Sequence, residues 1–350
     1  MTQARADSAT LAVDYNAPAA FVQGTEGVFT IPDFGFESGE RMRDLKVGYV
    51  THGKLNAARD NAILLVPGTT NTRHSADGYI GPGNALDPEC DFIIAVDAIG
   101  AGTSSAPADG LAGEFPRYSV RDMVKTQHAL IGGLFGALRL KAVVGASMGA
   151  FQALEWAIHF PAMVGRIVLM VPAARAGNIF KAVVRAGFEV IALDPDWRGG
   201  KYTQQPLAGL RAAGRLYYPW TVADAYLEQL SPEALERELQ FTVANAAAWD
   251  AWNFIRRYQA SSSHDVALPF GGDLAAALAC VRAPALLLPS STERLLGIDS
   301  AREIARLVRG ATLVEVPSAR GHLGWRAVRG APESATIAHQ IVAFLQGDKS

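Results

Sequence analysis

Apolar residues along this chain fall into two kinds of pattern. Short unbroken runs recur at 61–67 (NAILLVP), 91–97 (DFIIAVD), 142–145 (AVVG), 166–172 (RIVLMVP) and 285–289 (ALLLP). Continuous runs of that length predict strands covered on both faces. Two earlier strands are predicted at 27–32 and 46–52, the second alternating through Val47, Tyr49 and Thr51. Between the runs, apolar positions return at helical spacing. Ser119 caps a predicted helix that reaches about residue 138 with Leu130, Leu134 and Leu138 on one face. Phe151, Leu154, Ala157 and Ile158 mark another, stopped by Pro161. A helix near 300–308, a strand at 312–316 and a helix at 333–345 close the chain. Strands alternating with helices imply a largely parallel sheet with helices on its faces.

The pattern breaks in the middle. No strand-like run occurs from about 175 to 272, whereas helix starts are marked by Thr221 with Asp224, and by Ser231 followed by Pro232 and Glu233. Tyr217, Tyr218, Trp220, Tyr226, Trp249, Trp252, Phe254 and Tyr258 concentrate there. This predicts an all-helical lid inserted into an α/β core: core 1–174, lid 175–272, core 273–350. Most of those aromatics are expected in the lid's own core, and fewer against a pocket. Residues 1–26 read as a loosely held arm.

Candidate chemistry sits where the third unbroken run ends. Gly145-Ala146-Ser147-Met148-Gly149 fits G-x-S-x-G, with a strand before it and a helix after it. That turn lifts a serine hydroxyl out of a strained backbone, and side chains flanking it would collide. A serine is a poor nucleophile near pH 7 without a base held by a carboxylate. His159 and His339 fall inside helices, and His264 lies where the lid returns. His322 follows the last strand, where a base can meet the serine, and is preferred. For the acid, the loop after 285–289 offers Glu293 or Asp299; Glu293 is nearer the strand end, and Asp299 can instead cap the next helix. The oxyanion donors are expected to be the N–H of Met148 and one from the turn after Val66, with Thr69 preferred over Gly68 or Thr70.

Composition narrows the field. The 350 residues are 49% hydrophobic and 19% charged, with a formal net charge of −2. That argues against nucleic acid or an anionic membrane as partner. The first twenty residues lack the apolar stretch of a signal peptide, and no run is long enough to span a bilayer. Two cysteines, Cys90 and Cys280, are expected to be free, buried thiols, consistent with a cytoplasmic setting. No metal-ligand spacing occurs, and serine chemistry calls for no cofactor.

Longer segments carry a resemblance. GKLN at 53–56 with ARDN at 58–61, GPGNALD at 81–87, FPRYSVRDMVKTQ at 115–127, SMGAFQALEW at 147–156 and DPDWRGG at 194–200 resemble the homoserine O-acetyltransferase group of α/β-hydrolases. The resemblance implies an α/β-hydrolase fold, a triad of Ser147, His322 and Glu293, and a lid that shapes a tunnel and pairs two subunits. It also exposes three departures. Where the group carries an arginine for the amino-acid carboxylate, this chain has Phe188, with Arg185 as a neighbouring guanidinium. Where an aspartate follows the catalytic histidine to meet the substrate ammonium, it has Leu323. The acid is a glutamate where aspartate is usual. Loss of both counter-charges would strand a zwitterion, so the expected activity is a serine esterase acting on short-chain, chiefly acetyl, esters of small uncharged alcohols. The alternatives are acetyl transfer from acetyl-CoA to homoserine or another hydroxyl acceptor, and a catalytically idle binding module.

Overall fold

The computed structural model describes Val13 and residues 22–347. Two antiparallel strands, β1 (Thr25–Gly35) and β2 (Arg41–His52), lie at one edge of the sheet. The next five are buried at every position: β3 (Ala62–Val66), β4 (Phe92–Val96), β5 (Ala142–Ala146), β6 (Ile167–Met170) and β7 (Ala285–Leu288). The short β8 (Ala311–Leu313) forms the other edge. The order is β1-β2-β4-β3-β5-β6-β7-β8, parallel at every pairing beyond β2–β4.

Successive side chains of a strand point to opposite faces, and two cores result. Leu64, Ile94, Val143 and Leu169 pack with α1 (Val120–Phe135) and α2 (Met148–His159). Ile63, Ile93, Val144 and Val168 pack on the other face, against the last helix of the chain. Ser119 caps α1 as expected: its Oγ accepts from the Asp122 N–H at 3.1 Å, and Asp122 accepts from the Ser119 N–H at 3.0 Å.

Between β6 and β7 the chain is helical: α3 (Asn178–Ala192), α4 (Leu207–Thr221), α5 (Asp224–Leu227), α6 (Pro232–Ala247) and α7 (Ala251–Ser262). The two ends of this segment meet through Ala176 N–H to His264 O at 2.8 Å and Val266 N–H to Ala174 O at 3.0 Å. It has its own core, built on Val183, Ile191, Trp197, Leu210 and Phe254. Helices α8 (Leu274–Ala279), α9 (Ile298–Leu307) and α10 (Pro332–Gln346) complete the chain, with α10 on the second face of the sheet.

Several expectations shift. Helix α1 stops at Phe135, because Gly136 takes φ 63°; Leu134 is then exposed, and Leu138 is buried from the following turn. Thr221 ends α4 and starts nothing; its hydroxyl donates back to the Tyr218 carbonyl, and α5 begins at Asp224 behind Ala223. Both thiols are free, but Cys90 is exposed and Cys280 partly so, because each lies at an element end and not inside one. The expected arm gives up Thr25 and Glu26 to β1, where they pair with Thr51 and Val50. Residues 1–12 and 14–21 of it lie outside the described residues.

Candidate active site

Strand β5 ends and α2 begins around a single residue, Ser147, at φ 56° and ψ −121°. This left-handed backbone is costly for a residue with a Cβ. It is held by two hydrogen bonds: the Ser147 N–H donates to Met170 O at 3.0 Å, and its carbonyl accepts from the Phe151 N–H at 3.1 Å. Both flanking glycines are steric necessities. A Cβ on Gly149 would sit 2.4 Å from Val66 O, and one on Gly145 would sit 2.3 Å from the Gly149 carbonyl carbon.

The Ser147 hydroxyl meets His322 Nε2 at 2.8 Å, and His322 Nδ1 meets Glu293 Oε2 at 2.8 Å. Glu293 Oε1 accepts from the Leu296 N–H at 3.0 Å, so both carboxylate oxygens are occupied. The carboxylate sets the tautomer: Nδ1 carries the proton, and Nε2 accepts from the serine. Asp299 plays no part, since its side chain is 89% exposed and paired with Arg302 at 3.0 Å. The hydroxyl, the imidazole and the carboxylate thus form one hydrogen-bonded row, an arrangement that can relay a proton from a nucleophile.

The row opens onto a cavity of about 370 Å³. Leu323 and Thr69 line it, and five of the eight aromatics assigned mainly to a lid core line it too: Tyr217, Tyr218, Trp249, Phe254 and Tyr258. Phe188 does not. It packs edge-on against Trp197 at 6.1 Å and lines a separate void of about 10 Å³, which shares Tyr217, Phe254 and Tyr258 with the cavity. Helix α3 turns that position inward to the helical core, which places Phe188 outside the cavity lining. Arg185 is no substitute cation: it is 82% exposed and paired with Glu189 at 3.0 Å.

Residues 61–324 match the family model of the alpha/beta hydrolase fold. The chain belongs to that family. Among α/β-hydrolases it is 31% identical to a homoserine O-acetyltransferase of Trichormus variabilis, over 89% of this chain and 91% of the relative. A solved acetylester hydrolase from Corynebacterium glutamicum superposes with TM-score 0.86 at 27% identity, covering 92% of this chain and 96% of that one. A homoserine O-acetyltransferase structure from Bacillus anthracis gives 0.83 at 26% identity, covering 93% and 98%.

In this α/β-hydrolase the turn after β3 is secured by a residue the sequence pattern did not single out. Arg257, on α7, is fully buried. Its guanidinium donates to Gly68 O at 2.6 Å, Thr69 O at 2.7 Å, Asn71 O at 3.0 Å and Ile99 O at 3.2 Å. Burial pulls its pKa down to about 10, so it keeps its charge at neutral pH. Gln152 adds a bond to Pro67 O at 2.8 Å and is itself held by Gln127 at 2.6 Å. A signal was present: Arg257 falls on the stripe of Phe254, Tyr258 and Ser261 at helical spacing.

A second missed group anchors the turn that carries His322. Arg320, two residues before His322, donates to Glu238 of α6 at 3.0 Å. The hydroxyls of Tyr218 and Tyr226 donate to the same carboxylate at 2.9 and 2.8 Å. Burial works against the ionised form, but Arg320 and the tyrosines prevail and hold Glu238 below the ordinary carboxylate value. Gly321, at φ 53°, lets this turn approach α4; a Cβ there would touch Thr221 O at 3.0 Å.

The other histidines stay clear of the row. His264 is buried and stacked on Phe151 at 4.4 Å, and burial, aided by Arg121, depresses its pKa to about 3. His159 pairs with Glu155 at 2.9 Å on α2, and His339 is exposed on α10.

Proposed function

We propose that this chain is a serine esterase that hydrolyses short-chain esters, acetyl esters foremost, through an acyl-enzyme and without a cofactor. Ser147 attacks the ester carbonyl while His322 takes its proton, and Glu293 orients and stabilises the imidazolium. The N–H groups of Met148 and Thr69 receive the oxyanion, with Arg257 fixing the Thr69 turn from behind. His322 then activates water to release the acid. Segment 175–272 acts as a lid over a core made of 1–174 and 273–350.

One observation carries the preference for water over an amino-acid acceptor. Among the described residues lining the cavity, Glu238 is the single carboxylate, and Arg320, Tyr218 and Tyr226 already engage it. Beside the base stands Leu323. A substrate ammonium therefore finds no free anion, and burying it would be costly. The second reading, acetyl transfer to homoserine or another hydroxyl compound, draws on the 31% identity to a homoserine O-acetyltransferase. Turnover of para-nitrophenyl acetate is to be compared with CoA release from acetyl-CoA plus homoserine. The esterase reading expects the first alone to run at enzymatic rates; homoserine-dependent CoA release with feeble ester hydrolysis overturns it. Neither activity in the wild type, with no loss of function in Ser147→Ala, would restore the idle binding module.

We place the enzyme in the cytoplasm as a homodimer joined through the helical segment. Ile179, Leu193, Leu207, Leu235 and Leu268 are exposed there, Leu193 to 82%, and such apolar surface favours association. Sedimentation of the wild type should give a dimer at micromolar concentration and Leu193→Glu a shift towards monomer; a monomeric wild type removes this part.

A further inference from the structure

At the far side of the turn that carries His322, the cavity wall holds a guanidinium that no described residue pairs with. Arg326 follows the turn Gly321–Trp325, so it is carried by the same backbone that carries His322. Three hydrogen bonds fix that backbone: the Arg326 N–H to Leu323 O at 3.2 Å, the Tyr79 hydroxyl to Trp325 O at 2.8 Å, and the Ser334 hydroxyl to Arg326 O at 2.9 Å. The guanidinium lies against Phe241 of α6 at 5.2 Å and lines the cavity that contains Ser147 and His322. It makes no hydrogen bond or ion pair with any described residue. Burial and the like charge of Arg320 both pull its pKa below the ordinary arginine value, with Glu238 opposing them.

Charge counting at this end of the cavity is simple. Two guanidinium groups, Arg320 and Arg326, face one carboxylate, Glu238, whose oxygens are already taken by Arg320, Tyr218 and Tyr226. Among the described residues, no carboxylate pairs with Arg326. Arginine does not discharge by losing its proton at working pH, so a partly desolvated, unpaired guanidinium is satisfied by an anion that arrives with the ligand. Its planar donors match a carboxylate two bonds at a time. A phosphate dianion calls for a second free cation, and Arg320 is occupied. An amino acid is excluded by the same count, since its ammonium has no partner here.

We infer that the ester cleaved at Ser147 carries a carboxylate and no ammonium group, and that Arg326 receives that carboxylate. This rests on the esterase reading and amends the expectation of an uncharged alcohol. That expectation leaned on Phe188, which lies outside the cavity, and on Leu323, which rejects a cation and not an anion.

The test is a ratio of kcat/KM values for a charged ester and its neutral counterpart, so that a general loss of activity cancels. Meta-acetoxybenzoate against meta-acetoxybenzamide places the charge on the alcohol side. The para-nitrophenyl hemiester of glutaric acid against para-nitrophenyl butyrate places it on the acyl side. The wild type should prefer the charged ester in one arm by about ten- to a hundredfold, which also assigns the side. The preference should collapse towards one in Arg326→Met and Arg326→Gln and persist in part in Arg326→Lys. Absence of preference in both arms, or a preference that survives both neutral variants with folded structure confirmed by circular dichroism, overturns the proposal. Should the wild type hydrolyse no ester at all, the esterase reading fails on its own. Calorimetry with benzoate then decides the anion site: at least about tenfold weaker binding in Arg326→Met supports it, and equal binding refutes it.

Discussion

Glu293 lies in the loop after β7 and Asp299 in the first turn of α9, and a difference in reach separates them completely. Glu293 Oε2 is 2.8 Å from the imidazole, while Asp299 points to solvent beside Arg302. Replacing Glu293 by Gln keeps the shape but offers an amide where Nδ1–H needs an acceptor, which favours the wrong tautomer. Esterase kcat should fall by about 10³–10⁴, and Asp299→Asn should stay within about twofold of wild type; the reverse pattern moves the role to Asp299. Arg257 is the other residue whose effect is separable. Four backbone carbonyls converge on it, three of them in the turn that supplies the Thr69 N–H. Removing it in Arg257→Met takes that donor from all four carbonyls, Gly68 O keeping only the Asn71 N–H, and leaves the turn free to shift. The expected loss is about 10²–10³ in kcat with a much smaller change in KM, and Arg257→Lys should recover part of it. If kcat falls only in proportion to the folded fraction, measured by circular dichroism, Arg257 is structural alone.

At the scale of elements, legibility followed the range of the forces involved. Strands β3 to β7 announce themselves because burial on both faces demands unbroken apolar runs, and these helices end where local capping or a positive-φ glycine ends them. The row Ser147–His322–Glu293 was readable because each member sits just past a strand end, and strand ends of a parallel sheet converge. What escaped depends on helices packing against distant loops. Phe188 shares the apolar stripe of Phe180, Val184 and Ile191 along α3, but the helices it packs against, α4 and α7, lie too far along the chain to be read from that stripe. Arg320 meets Glu238 across 82 positions of sequence, with nothing near either one to pair them. That pair joins α6 to the turn that bears the base, so it gives an element-scale test. Glu238→Gln removes the carboxylate charge that Arg320, which is 2% exposed, pairs with. Unfolding free energy should drop by about 3 kcal/mol, and kcat should drop with it as the His322 turn loosens. An unchanged denaturation midpoint would mean that the pair contributes nothing to holding the helical segment on the core.

For the whole molecule, buried tyrosines, three of them in the cavity wall, set the alkaline limit. Tyr79, Tyr118, Tyr202, Tyr217, Tyr218, Tyr226 and Tyr258 all have their pKa raised, in each case chiefly by burial. In the unfolded chain these phenols release their protons near pH 10, whereas the folded protein retains them. Above that pH the native state therefore binds more protons than the unfolded state, and stability falls as pH rises. Arg257, depressed to about 10 by burial, acts in the opposite sense, as do Arg256 and Arg326, which burial also lowers, but the tyrosines outnumber them. Tyr79, Tyr118, Tyr217 and Tyr218 are nearly free of solvent, and each removes up to about 1.4 kcal/mol per pH unit. Four such slopes exhaust a typical stability of about 5–15 kcal/mol within a few pH units. Urea midpoints should hence fall steeply above about pH 10, with tyrosinate absorbance of the native protein lagging far behind that of the urea-unfolded chain until the fold collapses. Esterase activity should vanish in step with that collapse, because Tyr217, Tyr218 and Tyr258 line the cavity and resist ionisation in the folded protein. Native-state tyrosinate appearing at ordinary phenol pKa values, with stability flat to pH 12, would show that the wall is open to water.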